Sequence, residues 1–425
     1  MIFFYFFVFI MPLTNHPLWS RFIGDLTLTK YVGAGCLIYA IIYLFRRASF
    51  PRPLRSPLAM LFGVFVLMAL LSSVSLSLPR NWQLSPLFSY VSFVLLLFIA
   101  ASVIDSESRL KRTLFVAIGA VAFASLYLIR EWQVYRNVYV DFRPGWITGD
   151  ANYFTLSTLL CLPLALYLLN TPRPRLEKCF LLGCIVVTLL AVTLAASRGG
   201  FLGLVAALLF ILLHSSERIR RIAVIGVILV PLLLFLPLSP LKRLVNPDHS
   251  DQVAAQDRVI VWKAGLHMIE QHPWRGIGLG NFKPMVLQYE YEGRRVDSLA
   301  HNTYIEVAAE MGIPCFLLFL AIFGSAFRAL GRTRVFAAEK SPFLSQSALG
   351  LQAGLVGAMV AIFFLSAEAQ KLLWLAVFLA PCMEDLARSA SSSEELVAEP
   401  IQMGEGYEDT IEPPSEPNPE SFEWV

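Results

Sequence analysis

Charge is what this chain lacks most. Lysine, arginine, aspartate and glutamate make up only 15% of its 425 residues, while 56% are hydrophobic and the mean hydropathy is +0.63. Soluble domains carry about a quarter charged residues, so a surface wetted on all sides is excluded. Basic tracts are missing too, and a net charge of +3 offers no footprint for nucleic acid. Cysteine is present but never grouped: Cys36, Cys161, Cys179, Cys184, Cys315 and Cys382 show no CxxC spacing and no histidine partners at metal-ligand spacing. They read as small packing residues, and no metal site or cofactor is expected. The apolar stretch Met1–Leu13 has no basic n-region and no A-x-A site after it, so it reads as a short first span, not a signal peptide. It falls short of the ~20 residues a span normally needs.

What the chain has instead is long apolar runs, near 1–13, 29–45, 57–78, 86–104, 112–129, 151–170, 176–196, 199–214, 221–238, 302–327, 347–366 and 370–386. The runs are continuous, without the period-two alternation of a barrel strand, and lipid permits only helices or closed barrels. The expected fold is therefore an all-α integral membrane protein of about twelve transmembrane helices. Every second short loop is basic: Arg46 to Arg55, Arg109 to Arg112, Arg173 to Lys178, Arg218 to Arg221 and Arg328 to Lys340. With positive loops inside, that alternation predicts a multi-pass inner-membrane protein with both termini cytoplasmic. It puts one large loop, 239–301, on the outer, periplasmic side, together with Arg130–Asp150 and the short break at Ser197. A polytopic domain would end near 387. From 388 to 425 glutamates gather among Ser, Pro and Gly, which reads as a disordered acidic tail on the cytoplasmic side.

Polar residues kept at the membrane edge in so apolar a chain mark a place of work. Ser197-Arg198-Gly199-Gly200 separates two runs as a tight hairpin, and an arginine fork there suits a diphosphate held at two oxygens. Position alone equally allows an arginine snorkelling to headgroup phosphates. In the large loop, Val259, Trp262, Leu266 and Ile269 recur at helical spacing, predicting an amphipathic helix lying flat on the outer surface, opened by Asp251 and stopped by Pro273. Arg258 stands one turn before Trp262, facing either a ligand or a surface partner such as Asp257 or Glu270. Arg275 precedes Gly276-x-Gly278-x-Gly280, a flexible turn whose amides are a weaker candidate for phosphate. His301 ends the loop at the start of a membrane helix on which Asn302, Glu306 and Glu310 recur every four residues. An imidazole with an ordinary pKa near ~6.5 exchanges protons around neutrality, although a lone histidine is more often structural.

Three of these pieces together resemble the O-antigen ligase and O-antigen polymerase family of bacterial envelope glycosyltransferases, over about 149–312. They are Ser197-Arg198-Gly199-Gly200, Arg258-x-x-x-Trp262 with Pro273…Gly276-x-Gly278, and His301-Asn302…Glu306…Glu310-x-Gly312. Gly149-Asp150-Ala151-Asn152 looks like the family's Asp-Pro-Asn element with alanine in place of proline. The resemblance implies a metal-independent, inverting transfer of a glycan from a polyprenyl diphosphate to lipid A core or to another lipid-linked repeat. Arg198 and Arg258 would grip the diphosphate and His301 would take the acceptor proton. Arg275, Asn302, Glu306, Trp262, Gly278 and Asn152 would line the substrate site. From another class, a lipid-linked glycan transporter shares the twelve-span layout, but the span centres carry essentially no ionisable residues of the kind carriers use.

Overall fold

The computed structural model describes residues 1–13, 28–47, 50–75, 84–138, 142–148, 150–214, 249–290 and 295–398, and every regular element within them is helical. The main helices in chain order are α1 (Ile2–Ile10), α2 (Leu28–Arg47), α3 (Pro57–Ser75), α4 (Leu84–Val103), α5 (Glu107–Tyr135), α6 (Ala151–Leu169) and α7 (Arg175–Ala195). They continue as α8 (Arg198–Leu213), α9 (His249–Gln271), the single turn α10 (Phe282–Met285), α11 (Thr303–Ala337), α12 (Pro342–Ala361) and α13 (Lys371–Ala398). All the apolar runs but one coincide with a helix. The exception, 221–238, lies outside the described residues, as do 239–248 and 291–294 of the large loop. Among the described residues six helices are long and apolar enough to cross a bilayer: α2, α5, α6, α7, α11 and α12 with its 362–364 extension. Helix α13 runs on to Ala398, so the first ten or so residues after the compositional break at 388 are helical; 399–425 lie outside the described residues.

The loops sort to two ends of the bundle. At one end the basic loops are tied by ion pairs: Lys111 and Arg173 with Glu177, at 2.8 and 3.1 Å, and Arg332 and Arg388 with Glu384, at 2.7 and 2.8 Å. Arg109 joins Asp105 at 2.9 Å and lies over the Tyr43 ring. The opposite end holds the start of α6, the α7–α8 junction, α9, the start of α11 and the link from α12 to α13.

Burial against lipid-like surroundings gives little hydrophobic drive, so close packing and small residues must join these helices. Helix α12 does this with Gly350, Gly354 and Gly357. A Cβ on Gly350 would stand 2.6 Å from Leu164 Cα, and one on Gly357 would stand 2.8 Å from the Gly203 carbonyl of α8. That stripe fixes α6 and α8 side by side and so sets where Arg198 emerges. On the other side Trp374 is fully buried among Phe62, Phe65, Phe93, Phe319 and Phe378, with ring centroids 4.9–6.2 Å apart, locking α3, α4, α11 and α13 together.

Helix α11 is broken at Gly312, which has φ 83° and ψ 166°, two residues before Pro314. A proline lacks an N–H and strands a carbonyl one turn back, and lipid offers no substitute partner. The 273–280 turn supplies it. Ile277 N–H donates to Ala309 O at 2.8 Å, Gly278 N–H to Glu310 O at 2.9 Å, and Ile313 N–H to Pro273 O at 2.8 Å. Ser72 Oγ on α3 donates to the Glu310 and Arg275 carbonyls at 2.8 and 2.7 Å. A Cβ on Gly312 would sit 2.6 Å from the Trp274 backbone, and its φ lies in the left-handed region. Gly312→Ala should therefore cost roughly 1–3 kcal/mol from backbone strain alone, lowering the detergent melting temperature by several degrees. A melting curve matching the parent would contradict this account of the break.

Candidate active site

His301 sits at the junction of loop and α11 with φ 48°, a left-handed conformation uncommon for a side-chain-bearing residue. Four contacts hold it there. The Trp262 indole N–H donates to Ala300 O at 2.7 Å, and His301 N–H donates to Ser366 Oγ at 3.1 Å. Asn302 is buried and caps α11, its Oδ1 accepting from Tyr304 and Ile305 N–H at 3.0 and 3.2 Å. Thr303 donates from both N–H and Oγ1 to Leu365 O, at 3.1 and 2.6 Å. Trp262 and Asn302, named above as substrate residues, thus spend these groups on setting the histidine. Trp262 also packs edge-on against Phe363, with centroids 5.4 Å apart.

Helix α9 runs where the apolar spacing placed it, but it begins at His249, so Asp251 lies inside the first turn instead of capping it. Its packing face also differs. Val261, Ala264, Gly265 and Met268 face Phe282, Ala300, Ala309 and Ile305, whereas Val259 and Leu266 stay exposed. The buried stripe is made of small or flexible residues that weigh little in a hydropathy reading, so the bulkier adjacent stripe was more visible. Packed this way, α9 holds Arg258 close enough to bear on the imidazole. Burial lowers the His301 pKa from its ordinary value, the Arg258 charge lowers it further, and Asp150 opposes them.

Asp150 belongs to the start of α6, where its carboxylate accepts from Asn152 and Tyr153 N–H at 2.6 and 2.9 Å. Asn152 Oδ1 in turn accepts from Ser197 Oγ at 2.7 Å. Ser197 caps α8 by accepting from Gly200 N–H at 3.1 Å. The chain direction reverses at Ala196 (φ 48°) and Ser197, so Arg198 is the first residue of α8 and not part of a hairpin of four. Gly199 and Gly200 serve close approach instead of turning: a Cβ on Gly199 would stand 2.7 Å from Phe364 Cβ, and one on Gly200 would collide with Thr155. Phe364 lies two residues before Ser366, the partner of His301. Arg198, Arg258 and His301 therefore gather at one end of the bundle, beside the capped N-termini of α6, α8 and α11.

Two named residues stand apart. Arg275 is exposed and its backbone is held at the α11 break, level with Glu310–Gly312, on the order of 15 Å along the helix from His301 at 1.5 Å per residue. Gly278 gives its amide to Glu310 O, and the Gly280 and Phe282 amides go to the Glu310 carboxylate, both at 2.9 Å. The glycine-rich turn thus spends these amides on α11, as the broken helix demands, and not on a phosphate.

Beside His301 opens a cavity of about 500 Å³ that the sequence reading missed in part. Its lining includes Tyr90, Tyr153, Glu306, Glu310, Ser366 and Glu368. Ser366 links the two compartments: its Oγ receives the His301 N–H, its side chain bonds Glu306, and its carbonyl accepts from Tyr153 Oη at 2.8 Å. Glu306 is 3% exposed, yet its Oε2, like Glu368 Oε2 and Tyr90 Oη, has no hydrogen-bond partner among the described residues. Each such orphan costs about 1–3 kcal/mol. Burial pushes the Glu368 carboxyl above the usual carboxylate range. Among the described residues no three histidine, cysteine or acidic side chains are grouped to hold a metal ion.

Fold and site together define a polytopic helical membrane protein with a cationic, histidine-bearing centre at one end of its bundle. Residues 183–320 match the family model described as O-antigen ligase, a stretch that contains Arg198, Arg258 and His301. The chain is 28% identical over 334 residues to an O-antigen ligase of Pseudomonas aeruginosa (strain ATCC 15692), covering 75% of each sequence. The resemblance drawn from the motifs is thereby borne out.

Proposed function

We propose that this chain is an O-antigen ligase-like glycosyltransferase, moving a glycan from a polyprenyl diphosphate to an acceptor hydroxyl on lipid A core or a similar glycolipid. The observation that supports this reading is electrostatic: Arg258 bears on the His301 imidazole, and Arg198 lies at the same end of the bundle as the first residue of α8. Each helix N-terminus contributes about half a positive charge, which favours anions nearby even where the caps take up first-turn amides. An arginine as the first residue of α8 adds a cation where the helix already carries positive charge, an arrangement that makes sense when an anion is bound. Arg198 and Arg258 then hold the diphosphate, supplying without a metal the charge a divalent ion would bring. The acceptor oxygen attacks the anomeric carbon from the face opposite the diphosphate. The C–O bond to the diphosphate breaks with its electron pair leaving on phosphate, and the acceptor proton passes to a ring nitrogen of His301. One displacement inverts the anomeric centre.

In this reading the ion-paired basic loops lie in the cytoplasm with both termini, and the site faces the periplasm. The P. aeruginosa relative is named for O-antigen ligation, and the same chemistry serves a polymerase, whose acceptor is another lipid-linked repeat. Deletion in the native host, followed by gel analysis of surface glycans, tests the assignment. Loss of all long chains from lipid A is expected. Single capped repeats would make it a polymerase, and an unchanged glycan profile would refute both.

The lowered His301 pKa sets a pH dependence. A group held below ~6.5 is neutral, hence a competent base, throughout the range above that value, and charges only on the acid side. Transfer by the purified protein should be flat from pH 7 to 8 and fall with a single ionisation below about 6.5. Asp150→Asn keeps a capping side chain but removes the charge that raises the His301 pKa, so the acid limb should move to lower pH. A limb that stays put or moves upward would refute the base assignment.

A further inference from the structure

The cavity beside His301 contains more unsatisfied chemistry than proton transfer requires. Among the described residues Glu306 and Glu368 each present a buried carboxyl oxygen without a partner, and Tyr90 presents a hydroxyl in the same condition, all three residues lining one space. Tyr90 is 2% exposed and its ring is fixed by Phe65 and Phe93, with centroids 5.5 and 6.1 Å away, so the hydroxyl cannot swing out to water. Glu310 is already satisfied by two amides and forms wall. Lys283 and Asp297, the other charged lining residues, are both exposed and of opposite sign. The space, about 500 Å³, falls within the roughly 300–1,000 Å³ of small-molecule sites.

A ligand that satisfies this wall must bring hydrogen-bond donors close to carboxyl groups and must not bring a phosphate. A metal ion does not fit, because the acidic groups are not spaced as ligands among the described residues. Hydroxyl groups around a sugar ring do fit, since each donates one hydrogen bond and accepts others. We propose that this cavity is the acceptor-sugar pocket, taking an unphosphorylated ring through Glu306, Glu368 and Tyr90. It rests on the transferase reading above and deepens it. The cationic compartment holds the donor's diphosphate, the carboxyl-lined one holds the acceptor ring, and Ser366, bonded to His301 and Glu306, is the shared wall across which the hydroxyl meets the base. The difference between the two walls, carboxyl and hydroxyl oxygens on one side and arginines on the other, would sort the two lipid-linked substrates, a phosphate finding cationic partners in only one of them.

The test uses the full-length protein in nanodiscs and core oligosaccharide released from lipid A, before and after enzymatic dephosphorylation. Binding is read by isothermal titration, and transfer to intact lipid A core is measured alongside. Tyr90→Phe and Glu368→Gln are suitable variants, since Tyr90→Phe removes only an unpartnered hydroxyl and Glu368→Gln is isosteric. Both should weaken oligosaccharide binding and raise the acceptor KM by about tenfold, equivalent to about 1.4 kcal/mol, while the donor KM is unchanged. Dephosphorylation should leave binding equal or tighter. Unchanged acceptor binding in both variants, a raised donor KM instead, or binding lost on dephosphorylation would each overturn the pocket while leaving a transferring enzyme intact. Oligosaccharide binding with no transfer from any lipid-linked donor would overturn the transferase reading instead.

Discussion

His301→Asn should abolish nearly all glycan transfer while leaving the protein folded and able to bind its lipid-linked donor. Asparagine is the informative replacement because the backbone at 301 is left-handed, at φ 48°, and asparagine tolerates that region better than alanine does. The clamp from Trp262, Ser366 and Thr303 acts on main-chain atoms or on neighbours of the imidazole, so it survives the change. What disappears is a group that takes a proton near neutral pH. A positioned base contributes roughly 10²–10⁴ in rate, and the amide of asparagine supplies none of it. Donor retention, read by native mass spectrometry of the lipid-bound protein, separates loss of the base from loss of the site. Transfer at the parental rate would sink the assignment of His301 as base. Loss of donor together with activity would move the residue from chemistry to diphosphate binding.

Much of this arrangement was legible before any coordinates. Continuous apolar runs become helices because hydrocarbon leaves the backbone no other partner, and the alternation of basic loops matches the sorting of ion pairs to one end. Arg198, Arg258 and His301 stood out because charge is scarce in this chain. What escaped the sequence was decided by contact. The glycines after Arg198 look like a turn in one dimension; in three they are the flat surface on which Phe364 and Thr155 rest. The packing stripe of α9 hides in Ala264 and Gly265, residues with almost no hydropathy of their own. Gly276 and Gly312 stand in separate motifs, yet a Cβ on Gly276 would meet the Glu310–Met311 backbone at 2.3–2.4 Å and one on Gly312 the Trp274–Arg275 backbone at 2.6–2.8 Å. Glu368 was missed although a signal existed: Ser366 to Gln370 breaks two apolar runs, and the loop alternation puts that break on the same side as His301. Tyr90 carried no signal, since a tyrosine in an apolar run is ordinary and only its unpartnered hydroxyl marks it.

Arg198→Lys should be nearly as inactive as Arg198→Ala, with both losing about 10²–10³ in kcat, the range seen when a preorganised donor to developing charge is removed. Both leave α8 its Ser197 cap and both leave the close approach of Gly199 and Gly200 untouched. Lysine keeps the charge but replaces a planar fork of five donors by a single ammonium on a flexible stem, so it cannot present two parallel, preorganised donors to two diphosphate oxygens. The same position makes a second, opposite demand on stability. A cation in the first turn of a helix is disfavoured by about 0.3–1 kcal/mol, which offsets part of what the contacts of Arg198 contribute, so Arg198→Ala should melt within a few degrees of the parent in the absence of donor. Adding polyprenyl diphosphate should stabilise the parent and not the variant. This pairing of lost activity with retained stability is what a residue held for its ligand predicts. A snorkelling arginine held by headgroup phosphates predicts the reverse: little change in transfer, and a lower melting temperature that anionic lipid no longer raises. Arg198→Lys with near-parental kcat would show that charge alone suffices, and the bidentate grip on diphosphate would have to be abandoned.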